Sequence, residues 1–362
     1  MKTQDFFFNL PEALIAQEPL VGQGEDARGN DRLMVLRRRT RSVEHKTVDD
    51  LPELLPPGTL LVLNNSRVRK ARIYGRSWGP DRETNTATEF LLIKRTAEGG
   101  REQEREWEAL CKKRKRIKPG SVFTFPADRG ATPETAIEAE ITGHTEDGVT
   151  LRFSRNIDDD YLDAYGHIPL PPYIKRQDTA LDAERYQNVY AKPHGSIASP
   201  TAGLHLTEAL LSKIRERGIE TAFVTLHVGL GTFLPVRAER VEDHRMHEEH
   251  YTIDDACAER INRALGEKRP ITAVGTTSLR CLESACLNGR IQPGNRTSGM
   301  FIYPGYKFKA VDSLFTNFHT PCSTLLMLVC ALAGKDFIME AYRTAIAEQY
   351  RFFSYGDAML IS

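Results

Sequence analysis

This chain of 362 residues contains no stretch of 18 or more apolar residues, so its sequence offers no membrane span. Its first residues, Met1-Lys-Thr-Gln-Asp5, lack the basic-then-apolar pattern of a secretory leader, and cytoplasmic residence is the expectation. Cysteine is scarce. The six present (Cys111, Cys257, Cys281, Cys286, Cys322 and Cys330) include no Cys-x-x-Cys pair, which argues for reduced, mostly buried thiols and against a disulfide framework. Net charge is lacking too: 49 Lys and Arg balance 49 Asp and Glu, which excludes a protein that coats nucleic acid indiscriminately. A local basic patch remains compatible with that balance. Internal repeats and long low-complexity segments are also missing. With 40% hydrophobic and 27% charged residues, the chain reads as globular, with length for two or three domains.

What is present falls into two regimes. Residues 60–156 carry short β-type runs: Leu60–Leu63, Glu89–Ile93, Trp107–Cys111, Val122–Phe125, Ala136–Ile141 and Val149–Phe153. Turn signals such as Glu98-Gly-Gly100, Lys118-Pro-Gly120 and Glu146-Asp-Gly148 separate them, and helical periodicity is absent. From about residue 200 the grammar changes. Thr207 can cap a helix that buries Ala209, Leu210 and Ile214 and stops at Gly218. A buried strand follows over Thr221–His227, then glycine-rich Val228–Thr232. A helix over Ala256–Lys268, the strand Ile271–Val274, the turn Gly275-Thr-Thr277 and a helix from Ser278 repeat the order. Two more helices are expected, Ser323–Leu332 and Lys335 to about Tyr350. The expected architecture is an α/β main domain (residues 1–65 and 157–362) carrying an inserted antiparallel β-barrel-like domain (residues 66–156).

Three segments place glycine and hydroxyl residues where a strand ends or a helix begins, so free backbone N–H groups can meet a ligand. The first is Ser199-Pro-Thr-Ala-Gly-Leu-His205, where Thr201 and Gly203 lie beside the titratable His205. Its alternative is an ordinary helix start with a core histidine. The second is His227-Val-Gly-Leu-Gly-Thr-Phe233. Gly229 and Gly231 invite a dinucleotide reading, but the third glycine is missing, and a nucleoside-sized ligand fits better. The third, Gly275-Thr276-Thr277, is a cradle for a carboxylate or phosphate; Arg280, a turn later, is expected to face outward as a solvated charge. Between the last two, Glu242-Asp-His-Arg-Met-His-Glu-Glu-His250 gathers titratable groups. His244, His247 and His250 at spacing three can share a helical face. His-x-x-His-x-x-His is not the zinc-hydrolase pattern, so proton transfer or substrate hydrogen bonding is favoured and no metal is expected. Thr316-Asn-Phe-His319 puts Asn317 and His319 ahead of a helix, as ligand groups or as a plain cap. Two basic runs, Arg37–Arg41 and Lys112–Lys118, are solvated faces or phosphate contacts.

At these same segments the sequence resembles the S-adenosylmethionine:tRNA ribosyltransferase-isomerase family of queuosine biosynthesis, nearly end to end. The resemblance runs through Leu63-Asn-Asn-Ser-Arg-Val68, Tyr165-Gly-His-Ile-Pro-Leu-Pro-Pro-Tyr-Ile174, Pro200–His205, Phe223–Phe233, Glu242–His247, Ala273–Ser278, Thr316–His319 and Tyr350–Met359. It implies a transferase that moves the ribosyl group of S-adenosylmethionine onto 7-aminomethyl-7-deazaguanine at the tRNA wobble position. The group is closed into epoxyqueuosine, and adenine and methionine are released. S-adenosylmethionine would be consumed as a substrate with no cofactor, in a monomer.

The chemistry the resemblance implies needs a base beside the acidified 5′ carbon, a proton donor to the departing adenine and a neutral amine nucleophile. Candidates for those roles are His227, Glu242, His244, His247 and His205. Thr201, Gly203, Gly229, Gly231, Thr232, Gly275, Thr276, Thr277, Asn317 and His319 would hold the nucleoside and its methionine carboxylate. Arg67, Lys112, Lys113, Arg114, Lys115 and Arg116 would meet tRNA phosphates. One departure stands out. Family members often have Glu in the segment Pro321-Cys322-Ser-Thr324, where this chain has Cys322. Two rival readings are a non-catalytic RNA-binding protein and a methyltransferase. The second would need a glycine-rich loop after an early strand, which Leu60–Val68 does not supply.

Overall fold

The computed structural model describes residues 1–20, 28–77, 87–96, 105–126, 136–229 and 236–362. The chain divides into two units: residues 1–67, 171–177 and 184–362 form the first, and residues 68–170 and 178–183 the second. The second unit thus runs past residue 156. The physical reason is the helix Asp159–Tyr165, whose Tyr161 and Leu162 join the barrel's own core along with Ile157.

The first unit is built on a nine-stranded mixed sheet. Its strands are β1 (Arg32–Arg37), β2 (Ser42–Thr47), β3 (Leu60–Asn64), β4 (Glu220–Leu226), β5 (Glu249–Ile253), β6 (Ile271–Val274), β7 (Gly294–Ser298), β8 (Ser313–Asn317) and β9 (Ala358–Ile361). Across the sheet the order is β7-β5-β4-β3-β6-β8-β9-β1-β2. The four strands β4, β3, β6 and β8 are parallel neighbours, while β5, β7 and β9 run against their neighbours in the order β4, β5 and β8. Side chains of successive strand residues point to opposite faces, and the two cores sort accordingly. Met34, Leu36, Leu60, Val62, Leu314, Met359 and Ile361 belong to one cluster; Leu33, Val35, Leu61, Leu63, Phe315 and Leu360 belong to the other. With both faces covered, β3 and β6 are buried at every residue instead of alternating.

Helices cover the sheet: α1 (Glu208–Glu216), α2 (Asp255–Gly266), α3 (Gly275–Ala285), α4 (Thr324–Ala333) and α5 (Lys335–Ala347). Thr207 caps α1 through Leu210 N–H at 2.9 Å, as its position in the sequence suggests, and Gly218 follows with φ +73°. α3 starts at Gly275, three residues earlier than the periodicity predicts, and nearly all of it is buried. Arg280 is therefore no solvated charge. It is 2% exposed and pairs with Glu249 on β5, itself 4% exposed. Burial of either partner alone would be costly, so each holds the other in place. One turn on, buried Glu283 accepts from Tyr306 Oη (2.9 Å) and from the backbone N–H groups of Lys309, Ala310 and Val311. That pushes the Tyr306 phenol pKa up, burial and the carboxylate acting together.

The second unit contains a closed six-stranded antiparallel barrel, in the order Val149–Phe153, Glu106–Leu110, Ala87–Arg95, Arg72–Ser77, Val122–Phe125, Ile137–His144. Arg72–Ser77 is a strand that the sequence patterning did not single out. Alternate residues fill the interior: Ile73, Phe90, Leu92, Trp107, Phe123, Phe125, Ile141, Leu151 and Phe153. Phe90 meets Phe123 edge-on at 4.9 Å, and Phe125 lies 5.4 Å from Phe153. Gly75 makes room for this stack, since a β-carbon there would lie 2.6 Å from Phe125 Cζ. Gly75→Val is expected to destabilise the barrel by about 1–3 kcal/mol through overpacking. Trp78 and Trp107 are the chain's two tryptophans and both lie in this stretch, so urea unfolding followed by tryptophan fluorescence would show the lowered midpoint.

Candidate active site

Four parallel strands end on one edge, where the carboxyl-terminal continuations of β4, β6 and β8 help to line a cavity. Open α/β sheets bind ligands at this edge. The cavity encloses about 260 Å³ and is lined by Ser199–Ala202, Val228 after β4, Gly275–Thr277 after β6, Thr316–Pro321 at the end of β8, and by Tyr173, Phe353 and Ser354. Two of the three glycine-and-hydroxyl segments, together with the Thr316–His319 segment, therefore meet in space. The remaining segment reaches the cavity through Val228; Gly229 lies next to it and donates to Glu249 Oε1 at 3.4 Å. Gly231 and Thr232 fall outside the described residues.

Asn64, the last residue of β3, ties this edge together. Its Oδ1 accepts from Leu226 N–H (3.0 Å) and Ser66 N–H (3.1 Å), and its Nδ2 donates to Leu226 O (2.9 Å) and Thr277 Oγ1 (3.3 Å). One buried amide thus sets the spacing between β3, β4 and the first turn of α3. No side chain caps α3, and Gly275, with φ +84°, turns the chain from β6 into it. The first N–H groups of an uncapped helix, with the positive end of its dipole, favour an anion. Thr276 and Thr277 sit on that turn and line the cavity. Ser199 is 4% exposed, and its hydroxyl meets no partner among the described residues.

Beside this turn, Thr201 Oγ1 donates to Asn317 Oδ1 (2.9 Å), and Asn317 Nδ2 donates to His205 Nε2 (2.9 Å) and to the Phe353 carbonyl (3.2 Å). His205 Nδ1 lies 2.7 Å from Asp31 Oδ2. His205 is buried behind the cavity lining, so it touches the site through Asn317 and both its ring nitrogens are engaged. Gly203 does not line the cavity either. It is small because Tyr190 and Asn188 press on it, leaving 2.1 Å between a β-carbon there and Tyr190 Oη. Tyr173 packs its ring 4.7 Å from Phe353 and hydrogen-bonds Ser354 Oγ; burial pushes its phenol up to about 12. Phe353 has φ +73°, a conformation that bulky residues avoid. Neither Tyr173 nor Phe353 stood out in the sequence as a site residue.

The Glu242–His250 cluster is not a shared helical face. Glu242 sits in a single 3₁₀ turn, Val241–Asp243, an irregular stretch follows, and His250 is exposed on β5. Glu242 pairs with the Met1 amine at 2.6 Å, which holds its pKa below the usual carboxylate range. His244 packs edge-on against Phe301 at 5.1 Å; desolvation, then the nearby His247, lowers its pKa. None of Glu242, His244 and His247 lines the cavity, whereas His227 immediately precedes Val228, which does. Gly195 packs against the His227 ring, where a β-carbon would lie 2.9 Å away. Among the described residues, no cluster of three or more His, Cys, Asp or Glu is placed to hold a metal.

The basic runs divide. In the first, Arg37 pairs with Glu44 (3.1 Å), and half-buried Arg38 donates to the carbonyls of Leu332 and Asp312, so both are structural. In the second, Lys112, Lys113, Lys115 and Arg116 are exposed around the turn Arg114–Arg116, while Arg114 donates to Glu146 O. Arg67 is exposed, and its N–H bonds Pro193 O at 2.7 Å.

His319, on the cavity wall, has a testable consequence. Burial pushes its pKa down from 6.5 to about 3. Between those values the unfolded chain binds a proton that the native protein does not, so stability is lost as pH falls from 6.5. The expected slope from this residue is about 1.4 kcal/mol per pH unit. His319→Gln should remove that slope from urea midpoints measured between pH 7 and 4; equal slopes in both proteins would contradict the neutral assignment.

Comparison with known proteins fits this construction. The family described as Queuosine biosynthesis protein matches residues 3–361. The S-adenosylmethionine:tRNA ribosyltransferase-isomerase of Treponema denticola is 53% identical, with 100% of each chain covered. The protein of the same name from Clostridioides difficile is 48% identical, again over 100% of both. The crystal structure of S-adenosylmethionine tRNA ribosyltransferase from Thermotoga maritima shares 35% identity and superposes with a TM-score of 0.54, covering 99% of this chain and 100% of that one. The chain belongs to the queuosine-biosynthesis family whose curated members are named S-adenosylmethionine:tRNA ribosyltransferase-isomerase.

Proposed function

We propose that this enzyme transfers the ribosyl moiety of S-adenosylmethionine to 7-aminomethyl-7-deazaguanine at the tRNA wobble position and isomerises it, giving epoxyqueuosine-tRNA, adenine and methionine. The observation that carries the reading is the cavity at the carboxyl ends of β4, β3, β6 and β8, with an uncapped helix N-terminus on one wall. Such a turn suits the methionine carboxylate, so Thr276 and Thr277 are assigned to it. Ser199, Thr201 and Asn317 supply polar groups for the nucleoside. S-adenosylmethionine is consumed as a substrate, and no cofactor is needed. The protein would act as a cytoplasmic monomer; no helix among its described residues is long and apolar enough to cross a membrane.

The sulfonium acidifies the 5′ carbon, and a base must stand beside it. His205 has no ring nitrogen to spare. His319, with a pKa of about 3, is a weak proton acceptor. Glu242 is held by the Met1 amine at the surface. His227, next to the cavity-lining Val228, is the base we favour. The exposed Lys112, Lys113, Lys115 and Arg116 are assigned to tRNA phosphates.

Incubated with S-adenosylmethionine and tRNA carrying the deazaguanine, the protein should release adenine and methionine in equal amounts. S-adenosylhomocysteine as the product would instead identify a methyltransferase, and no turnover would leave an RNA-binding protein. His227→Gln should slow adenine release by about 10²–10⁴-fold. Replacing Lys113, Lys115 and Arg116 by alanine should flatten the dependence of tRNA affinity on salt, by about 0.7 in the log–log slope per lost phosphate contact. An unaltered slope would remove this patch from the tRNA footprint.

A further inference from the structure

Asp31 and His205 lie behind the cavity, and the ribosyl-transfer reading gives neither a chemical step. Their hydrogen bonds nevertheless form an unbroken line to the cavity wall: Asp31, His205, Asn317, Thr201. We propose that Asp31 and His205 act with the Phe353 carbonyl as positioning groups that fix every proton along this line and so make the Thr201 hydroxyl face the substrate as a hydrogen-bond acceptor. The substrate part of this inference rests on the reading that S-adenosylmethionine occupies the cavity.

Two groups bordering this line can only accept. One is the Phe353 carbonyl, 3.2 Å from the Asn317 amide; it also accepts from Gly356 N–H at 3.0 Å. The Asn317 atom facing it must therefore be Nδ2, because an oxygen there would oppose an oxygen. That orientation turns Oδ1 toward Thr201, whose hydroxyl must donate its single proton at 2.9 Å. It also turns the other Nδ2 proton toward His205 Nε2, which must accept at 2.9 Å. A neutral imidazole that accepts at Nε2 carries its proton on Nδ1. The second pure acceptor, the Asp31 carboxylate, stands 2.7 Å from that Nδ1. The two ends agree, so the tautomer, the amide orientation and the hydroxyl direction follow from one another.

The line is buried as well as consistent. Asp31 is 6%, His205 2% and Asn317 3% exposed, so a partner lost from the line leaves a buried polar group unpaired. Thr201 is only partly buried and lines the cavity. With its proton held by Asn317, it offers the cavity lone pairs alone. It therefore selects an N–H or O–H donor, such as a ribose hydroxyl or an amine, and disfavours an acceptor at that point.

Long-range proton–nitrogen correlation spectra of the full-length protein, with His205 assigned by its loss in His205→Gln, should show the Nδ1–H tautomer. The Nε2–H form would overturn the proposal. Asp31→Asn replaces an acceptor-only group by an amide that can accept or donate, so Nδ1–H loses its preference, the Nε2–H form should become detectable, and the dissociation constant for S-adenosylmethionine, by titration calorimetry, should rise by up to about tenfold. Thr201→Val should cost a similar factor, Thr201→Ser much less. The Asp31→Asn and Thr201→Val effects should be far from multiplicative when combined, because both remove the same acceptor. Multiplicative effects would show that Asp31 acts only on general stability and would overturn the relay. If Asp31→Asn does not fold, the tautomer of the unaltered protein decides. A protein that holds Nδ1–H but binds no S-adenosylmethionine would refute the functional reading and leave the relay standing.

Discussion

The site depends on four parallel strands ending at the same level, and the Asn64 amide is the interaction that holds them there. Parallel pairing of β3 with β4 and β6 places Leu226, Asn64 and Val274 near one another. Strand pairing alone leaves the loops beyond those ends free to choose their paths. Asn64 removes that freedom, because its oxygen and nitrogen together engage the backbone of Leu226 and Ser66 and the Thr277 hydroxyl. These groups are buried, so each would carry a desolvation cost of about 1–3 kcal/mol if left unpaired. The geometry of three loops is thus coupled to one side chain.

The same logic explains why α3 lies in the middle of the core. A helix whose first turn is to bind an anion gains from being immobile, since its N–H groups then need no reordering when the ligand arrives. Arg280 and Glu283 anchor it from within, one through Glu249 and the other through four donors from Tyr306 to Val311. Buried charges are a costly way to fix a helix, but they are directional, and apolar contacts are not. The Glu249 carboxylate also receives Gly229 N–H, linking the anchor to the turn after β4.

The Thr201–Asn317 wall works by hydrogen-bond polarity. Asn317 is gripped by Thr201, His205 and the Phe353 carbonyl, and Phe353 itself holds an unfavourable positive φ. Local strain at a functional site is retained when neighbouring contacts stabilise it. Here the Tyr173 ring packs at a tilt against the Phe353 ring, and Gly356 N–H bonds the Phe353 carbonyl.

The sequence by itself determined the elements whose signals are local. Thr207 and Gly218 bracket α1, Ile271–Val274 is β6 to the residue, and the alternating runs from Glu89 to Phe153 became barrel strands, because capping, turn and periodicity signals act over a few residues. Motif resemblance likewise identified the family. Tertiary structure decided what depends on partners distant in sequence. Arg280 looked solvated until Glu249, 31 residues away, received it. The histidines near residue 244 looked like one cluster until the chain proved irregular there. His205 could be read from sequence as a site group or as a core histidine, and Asp31 and Asn317, 174 and 112 residues away, are what engage its two nitrogens. Spacing along a chain specifies residue type and periodicity, whereas a side chain's protonation and role are set by what folding packs around it.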